Sequence, residues 1–201
     1  MSRCPVKSDS GMVLLLCLIF LTILTLLGLS ASADAVLQRQ LAANLQDTER
    51  ATQSAQSALK WAEQWLMAME GPPPTVCASI CEGFTVHGTD TLVPHPEFES
   101  LSWWQIHGFE AGIDPLTKER LASFGADGFT APLWVIETIH ETTLAGDSST
   151  SQQVWYRLLA RGHGRSQTAV SVVESIIMRT WSTIEDPSQP QGGRAAWQRL
   201  R

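Results

Sequence analysis

The distribution of hydrophobic and polar positions divides the chain into three parts. Residues 12–29 are almost continuously apolar, and residues 10–33 carry no charge. We therefore predict a transmembrane helix over residues 12–33, which is long enough to cross a bilayer core of about 30 Å. From residue 34 the pattern is amphipathic, and no Pro or Gly occurs before Gly71. Beyond Gly71, short apolar runs alternate with Gly- and Pro-rich segments, which is typical of strands joined by loops.

The amphipathic part predicts a helix that continues the apolar one. Its apolar residues recur every three or four positions and form one stripe: Leu37, Leu41, Leu45, Ala51, Ala55, Ala58 or Leu59, Ala62, Leu66 and Met69. Gly71 and the three prolines after it end the helix. A single helix over residues 12–70 is about 88 Å long. A bend at Gly28 or a coiled-coil stalk are the alternatives, although the Ala-rich stripe lacks sustained Leu or Ile heptads.

Three strands are predicted near the C-terminus, over residues 132–142, 153–161 and 168–180. Loops over residues 146–149 and 162–166 suit hairpins, so we expect an antiparallel sheet whose apolar face packs on the helical stripe. The predicted fold class is therefore α+β, with a long N-terminal helix packed on a C-terminal antiparallel β-sheet. The head spans residues 71–185, in which residues 75–130 are irregular. Residues 186–201 predict a flexible tail, with a short helix near its end as an alternative.

The N-terminal segment has three interpretations. Residues 31–33 form an A-x-A site behind a basic segment with Arg3 and Lys7, as in a cleavable secretory signal. The apolar stretch is longer than a signal core, however, and helical periodicity runs through the site. A plain signal anchor is the second interpretation. A prepilin leader is the third, because a short polar segment ends in Gly11 directly before Met12. The flanking charges place the N-terminus in the cytoplasm and the body outside.

Composition and charge exclude several classes of protein. Among 201 residues the formal net charge is -6, and no Lys/Arg stripe follows the apolar segment, so we expect no nucleic-acid partner. The sequence contains no nucleophile elbow, no Gly-rich phosphate cradle and no clustered carboxylates. We therefore expect no enzyme activity, no cofactor and no metal site.

Four cysteines and eight tryptophans are the remaining unusual features. Cys77 and Cys81 lie in the exported part, where a disulfide is more common than a metal or redox site, and no finger-like second pair follows them. Trp103 and Trp104 are adjacent in the irregular segment. Paired aromatic residues are frequent at interfaces, so they are a candidate partner interface, although partial burial of Trp is ordinary.

Several strings resemble the type IV pilus assembly protein PilX family. They are residues 11–16 (GMVLLL), 24–30 (LTLLGLS), 41–47 (LAANLQD) and 51–63 (ATQSAQSALKWAE) in the helix, then 134–137 (WVIE), 156–162 (YRLLARG) and 169–175 (AVSVVES) in the predicted strands. The resemblance covers roughly residues 11–66 and a shorter C-terminal stretch. It implies a pilin-like fold, leader cleavage between Gly11 and Met12, and N-methylation of Met12.

The resemblance also implies a structural role and a set of partners. Major pilins usually carry Glu at the position of Leu16, so the chain resembles a minor, accessory subunit instead. The implied partners are major and minor pilins, the inner-membrane assembly machinery, prepilin peptidase and membrane lipid. The implied location is the bacterial inner membrane, with one span, and then the pilus. A minor pseudopilin of type II secretion and a signal-anchored periplasmic binding or sensor module are the alternatives.

Overall fold

The computed structural model describes residues 10–69, 71, 76–77, 86–89, 92–124, 130–145, 150–182 and 192–201. The chain forms two compact units, Met1–Leu45 and Gln46–Arg201. The elements in chain order are α1 (Ser10–Ala68), β1 (Val76–Cys77), β2 (Val86–His87), a 3-10 turn (Pro96–Phe98), α2 (Leu101–His107), β3 (Phe109–Glu110), β4 (Leu133–Ala145), β5 (Thr150–His163), β6 (Val170–Ser182) and β7 (Gly192–Arg199). The long helix and the sheet give the α+β class predicted from the sequence.

The described residues of the first unit, 10–45, all belong to the N-terminal part of α1. The hydroxyl groups of Thr22 and Thr25 donate to the carbonyl oxygens of Ile19 and Thr22, both at 2.8 Å, so the two polar side chains are satisfied within the helix. Among the described residues, α1 is the one helix that is long and apolar enough to cross a membrane, judged by its length and composition.

The second unit is built around a mixed sheet with the strand order β1-β2-β4-β5-β6-β7, in which β3 also pairs with β4. The strands β4, β5, β6 and β7 are antiparallel neighbours, which confirms the predicted antiparallel arrangement of the three long strands. The two-residue strands β1 and β2 are parallel to each other, and β2 is parallel to β4. The sheet is therefore mixed at this edge, which the sequence did not predict.

The predicted loop over residues 162–166 begins too early. Strand β5 continues through Gly162 and His163, and the turn is closed by the Gly164 amide, which donates to the Ala169 carbonyl at 2.8 Å. Gly162 is therefore a strand residue. The other predicted hairpin loop, residues 146–149, lies outside the described residues.

The C-terminal segment differs from the expected flexible tail. Residues Gly192–Arg199 form β7, in which Ala196 lies opposite Ile176 of β6 and Trp197 lies opposite Ser175. This stretch contains no β-branched residue, so its own β-propensity is weak. The strand forms because the edge of β6 supplies backbone hydrogen-bond partners.

The core between α1 and the sheet contains the predicted alanine stripe. Its members are Ala55, Ala58, Leu59, Ala62 and Leu66 from α1, with Trp134, Ile136, Val154, Tyr156, Leu158, Ala160, Val173, Ile177 and Trp181 from the long strands. The prediction that this stripe faces the sheet is confirmed for its part from Ala51 to Leu66, whereas Leu37, Leu41 and Leu45 of the same predicted stripe are exposed in the single chain. The opposite face of the sheet is covered in part by α2, where Trp104 packs with Val135, Leu159 and Val172.

Candidate functional site

The N-terminal part of α1 presents an extended apolar surface. Its large apolar side chains are exposed in the single chain: Met12, Val13, Leu14, Leu15, Leu16, Leu18, Ile19, Phe20, Leu21, Ile23, Leu24, Leu26, Leu27, Leu29, Val36, Leu37, Leu41 and Leu45. Such a surface far exceeds the scattered apolar residues that soluble proteins leave in water. It requires lipid or the apolar faces of other helices around it.

The contact between α1 and β5 is a backbone approach at Gly162. A Cβ atom at this position would lie 2.3 Å from the amide nitrogen of Ala55 and 2.4 Å from the carbonyl oxygen of Ala51. Only hydrogen fits there, so the glycine and the two alanines let the helix and the strand touch without intervening side chains. The alanines of this contact belong to the helical stripe predicted from the sequence, whereas the glycine was not predicted.

A carboxylate on α1 holds the turn that follows β5. Asp47 accepts hydrogen bonds from the backbone amides of Arg165 and Ser166, the second at 3.2 Å, and from the Ser166 hydroxyl. The Ser166 hydroxyl is the main reason why the pKa of Asp47 lies below its usual value. A Cβ at Gly164 would lie 2.5 Å from a carboxylate oxygen of Asp47, so this turn also needs glycine.

The C-terminal end of α1 is bound by an arginine from β6. The guanidinium of Arg179 donates to the carbonyl oxygens of Leu66 and Met69 and lies 3.8 Å from the ring centre of Trp181. The last carbonyls of a helix lack partners within the helix, so Arg179 satisfies that of Leu66 in the last turn and that of Met69 directly after the helix. Its side chain is buried, and this burial is the main cause of its lowered pKa.

Strand β7 also contacts α1 through an ion pair. Arg194 donates to both carboxylate oxygens of Glu63, with Nε and Oε1 2.9 Å apart. Such two-point pairing of arginine with a carboxylate fixes geometry as well as charge. Sequence reasoning missed this contact because the two residues are 131 positions apart.

The predicted leader site lies at the start of α1. Gly11 and Met12 are both helical, and Met12 is exposed. The predicted disulfide cannot be placed, since Cys81 and the side chain of Cys77 lie outside the described residues. The pairing of these two cysteines stays a prediction. Cys17, in the apolar part of α1, is a free and exposed thiol.

The two tryptophans predicted as a partner interface differ in their exposure, although their rings pack edge to face with centres 5.6 Å apart. Trp104 is completely buried, and its indole N–H donates to the Pro96 carbonyl at 3.1 Å. It belongs to the core beneath α2 and is not available to a partner. Trp103 is half-buried and stacks on His107, with ring centres 4.6 Å apart. The prediction was wrong for Trp104 because consecutive residues of a helix point in different directions, and one of them points to the sheet.

Metal-ligating side chains are dispersed among the described residues. No group of three or more His, Cys, Asp or Glu side chains in this part of the chain is placed to hold a metal ion. Two of the histidines are neighbours: the ring centres of His87 and His107 are 6.1 Å apart, and Nε2 of His87 lies 3.2 Å from the carbonyl oxygen of His107.

The comparisons with known proteins agree on one family. A family model described as "Type IV pilus assembly protein PilX C-term" matches residues 40–179, and a second, described as "PilX N-terminal", matches residues 10–60. No curated protein and no solved structure matches the chain. The two family matches include the helix and the strands from which the resemblance was drawn.

Proposed function

Because the chain belongs to the type IV pilus assembly protein PilX family, we propose that it is a minor, pilin-like structural subunit that takes part in assembling the type IV pilus. The main support for the proposal is that the two parts of α1 have different roles. Its N-terminal part exposes a continuous apolar surface, whereas its C-terminal part forms the core of the head. A helix of this kind both anchors a subunit and attaches a head to other helices.

The apolar surface serves two environments in this proposal. In the inner membrane, the side chains from Met12 to Leu29 contact lipid chains. When the subunit is extracted, they contact the helices of major and minor pilins instead. Lipid and helix surfaces are similarly apolar, so the exchange is governed by packing and not by a large change in hydration. The inner-membrane assembly machinery therefore works against a small difference in free energy.

The leader is removed between Gly11 and Met12 by prepilin peptidase, and the chain lies in the membrane with its N-terminus in the cytoplasm. Leu16 supports the accessory role. A carboxylate at this depth of a bilayer is costly unless it is paired. The leucine avoids that cost, but it also removes the group through which major pilins register against a neighbour. The subunit thus suits a special place in the filament, in priming, capping or an accessory position.

Mass spectrometry of the purified mature protein tests the first step. We expect a chain that has lost residues 1–11 and begins at Met12 with a methylated amino group. A chain that begins at Asp34 would end the proposal, since the apolar part of α1 would be absent.

Deletion of the gene in the native host tests the role itself. We expect few or no surface pili by electron microscopy, and recovery when the full chain is supplied. Normal pili with a loss of protein secretion would instead assign the chain to a type II secretion pseudopilus.

A further inference from the structure

A cavity of about 330 Å³ lies between α1 and the turn that follows β5. Three helix residues line it, at spacings of four and three that place them on one side of α1: Arg50, Ser54 and Ser57. The head contributes His163 at the end of β5, with Phe124 and Pro132 as apolar walls. No carboxylate side chain is among the described residues that line this cavity.

The imidazole of His163 is the buried polar group of the cavity. The residue is 7% exposed, and neither ring nitrogen has a hydrogen-bond partner in the described part of the chain. The backbone of Gln167 lies close enough to oppose the lowering of its pKa, but it does not meet hydrogen-bond geometry. Buried polar groups are nearly always hydrogen-bonded. An unpartnered imidazole that lines a cavity therefore indicates that a polar group binds there.

The lining also leaves two further hydrogen-bond donors unused. The Ser57 hydroxyl donates to the Gln53 carbonyl at 2.8 Å, whereas the half-buried Ser54 hydroxyl has no hydrogen bond among the described residues. Arg50 forms no ion pair with a carboxylate in the same part of the chain. It acts on Asp47 only through space, where it helps to lower the pKa of that carboxyl group.

The charge and the donors of the cavity select one class of ligand. Burial is the main reason why the pKa of His163 lies below its usual value, so the ring is neutral near pH 7 and offers one N–H donor. Arg50 then supplies the one positive charge of the lining. A carboxylate carries one negative charge and accepts several hydrogen bonds, preferably from arginine. A phosphate monoester carries nearly two negative charges at neutral pH, which one arginine does not balance.

We propose that this cavity binds a carboxylate group, held by the guanidinium of Arg50, the hydroxyl of Ser54 and an N–H of His163. The apolar part of the ligand lies against Phe124 and Pro132. A small organic acid and the Asp or Glu side chain of another protein supply the same group. The site lies within the head and does not depend on the role of the chain in the pilus.

A titration followed by nuclear magnetic resonance tests the site in the full chain in detergent. Of the five histidines, labelled with ¹⁵N, His163 is assigned by the loss of its signals in His163→Gln. Propionate, which has the carboxylate and stem of a Glu side chain, should shift these signals in a saturable way. Propionamide, which is neutral and of similar shape, should not. Arg50→Gln should weaken propionate binding by about tenfold, the effect of one charge-assisted hydrogen bond.

Lys60→Gln is the matched control, because it removes an exposed cation of the same helix outside the cavity and should leave the affinity unchanged. Ser54→Ala is the second variant, in case Arg50→Gln disturbs the fold, which the other histidine signals report. It should weaken binding by about fivefold, the effect of one neutral hydrogen bond.

Photo-cross-linking in the native host distinguishes the two sources of the carboxylate. The full chain carries p-benzoyl-L-phenylalanine in place of Ser57, which is exposed at the cavity. A cross-link to an Asp- or Glu-containing segment of another protein identifies a side chain as the ligand, whereas propionate binding without a cross-link identifies a free acid. The proposal is overturned if propionate gives no saturable shift, if propionamide gives the same shift, or if Arg50→Gln and Lys60→Gln bind propionate equally.

Discussion

Replacing Gly162 by alanine tests the contact that joins α1 to the head. The new Cβ would lie 2.3 Å from the Ala55 nitrogen and 2.4 Å from the Ala51 oxygen, whereas ordinary contacts begin at 3.4 Å. Both are backbone atoms of a helix and cannot rotate away. The helix and strand must therefore separate by about 1 Å, the difference between 3.4 Å and 2.3 Å.

The surrounding contacts resist this separation. Asp47 holds the turn after β5 against α1, and Arg179 holds the end of the helix against β6. Overpacking of a core typically costs about 1–3 kcal/mol, and a backbone clash belongs at the upper end. Replacing glycine reduces the entropy of the unfolded chain, which offsets about 0.4–1 kcal/mol. A net loss of about 2 kcal/mol lowers the melting temperature of a unit of this size by about 4–8 °C.

The assay is thermal unfolding of the full chain in detergent, followed by tryptophan fluorescence, because Trp134 and Trp181 lie in the core beside α1. Gly193→Ala in β7 is the matched control. No atom lies within 4 Å of a Cβ at Gly193, so its melting temperature should stay close to that of the wild type. If Gly162→Ala melts together with the control, α1 does not lie directly on β5 and the account of this contact is wrong.

Three further perturbations test other parts of the fold. Ala55→Glu places an unpaired charge in the core and should lower the free energy of unfolding by about 3 kcal/mol or more. Limited proteolysis should then digest the head, whereas the head of the control variant Gln56→Glu, on the exposed side of the helix, should resist digestion. Arg179→Gln leaves the carbonyl oxygens of Leu66 and Met69 without their donor and should lower the free energy of unfolding, measured in urea, by about 3 kcal/mol. Wild-type stability would contradict the role of Arg179 at the end of α1. Burial, aided by Arg161, lowers the pKa of His163. The unfolded chain therefore binds a proton at His163 more readily than the folded protein does. The contribution of neutral His163 to stability should be fully present above the pKa of about 6.5 that histidine has in the unfolded chain, and it should be lost as the pH falls below that value. His163→Gln should weaken the dependence of the melting temperature on pH between 7.5 and 5.5 without removing it, because burial also lowers the pKa of His87. An unchanged slope would refute the assignment.

Much of the architecture follows from periodic patterns that the sequence displays directly. The apolar run and the alanine stripe predicted α1, and the structure has one helix from Ser10 to Ala68. The stripe could be assigned to the core because burial of apolar surface depends mainly on which residues share a helix face. The three long strands were predicted within a few residues for a similar reason, since their β-branched and aromatic residues are strong local signals. The family resemblance, drawn from strings in these same elements, is confirmed by the two family matches.

The tertiary structure decided what depends on residues distant in the chain. Strand β7 has weak propensity and exists because β6 offers it an edge, so its sequence alone predicted a tail. The partners of Asp47, Glu63 and the end of α1 come from more than 100 residues away, and no local pattern encodes such pairs. Burial of Trp104 beneath the sheet likewise depends on where α2 packs. Local periodicity determines the elements, whereas the geometry of packing determines which side chains meet between them.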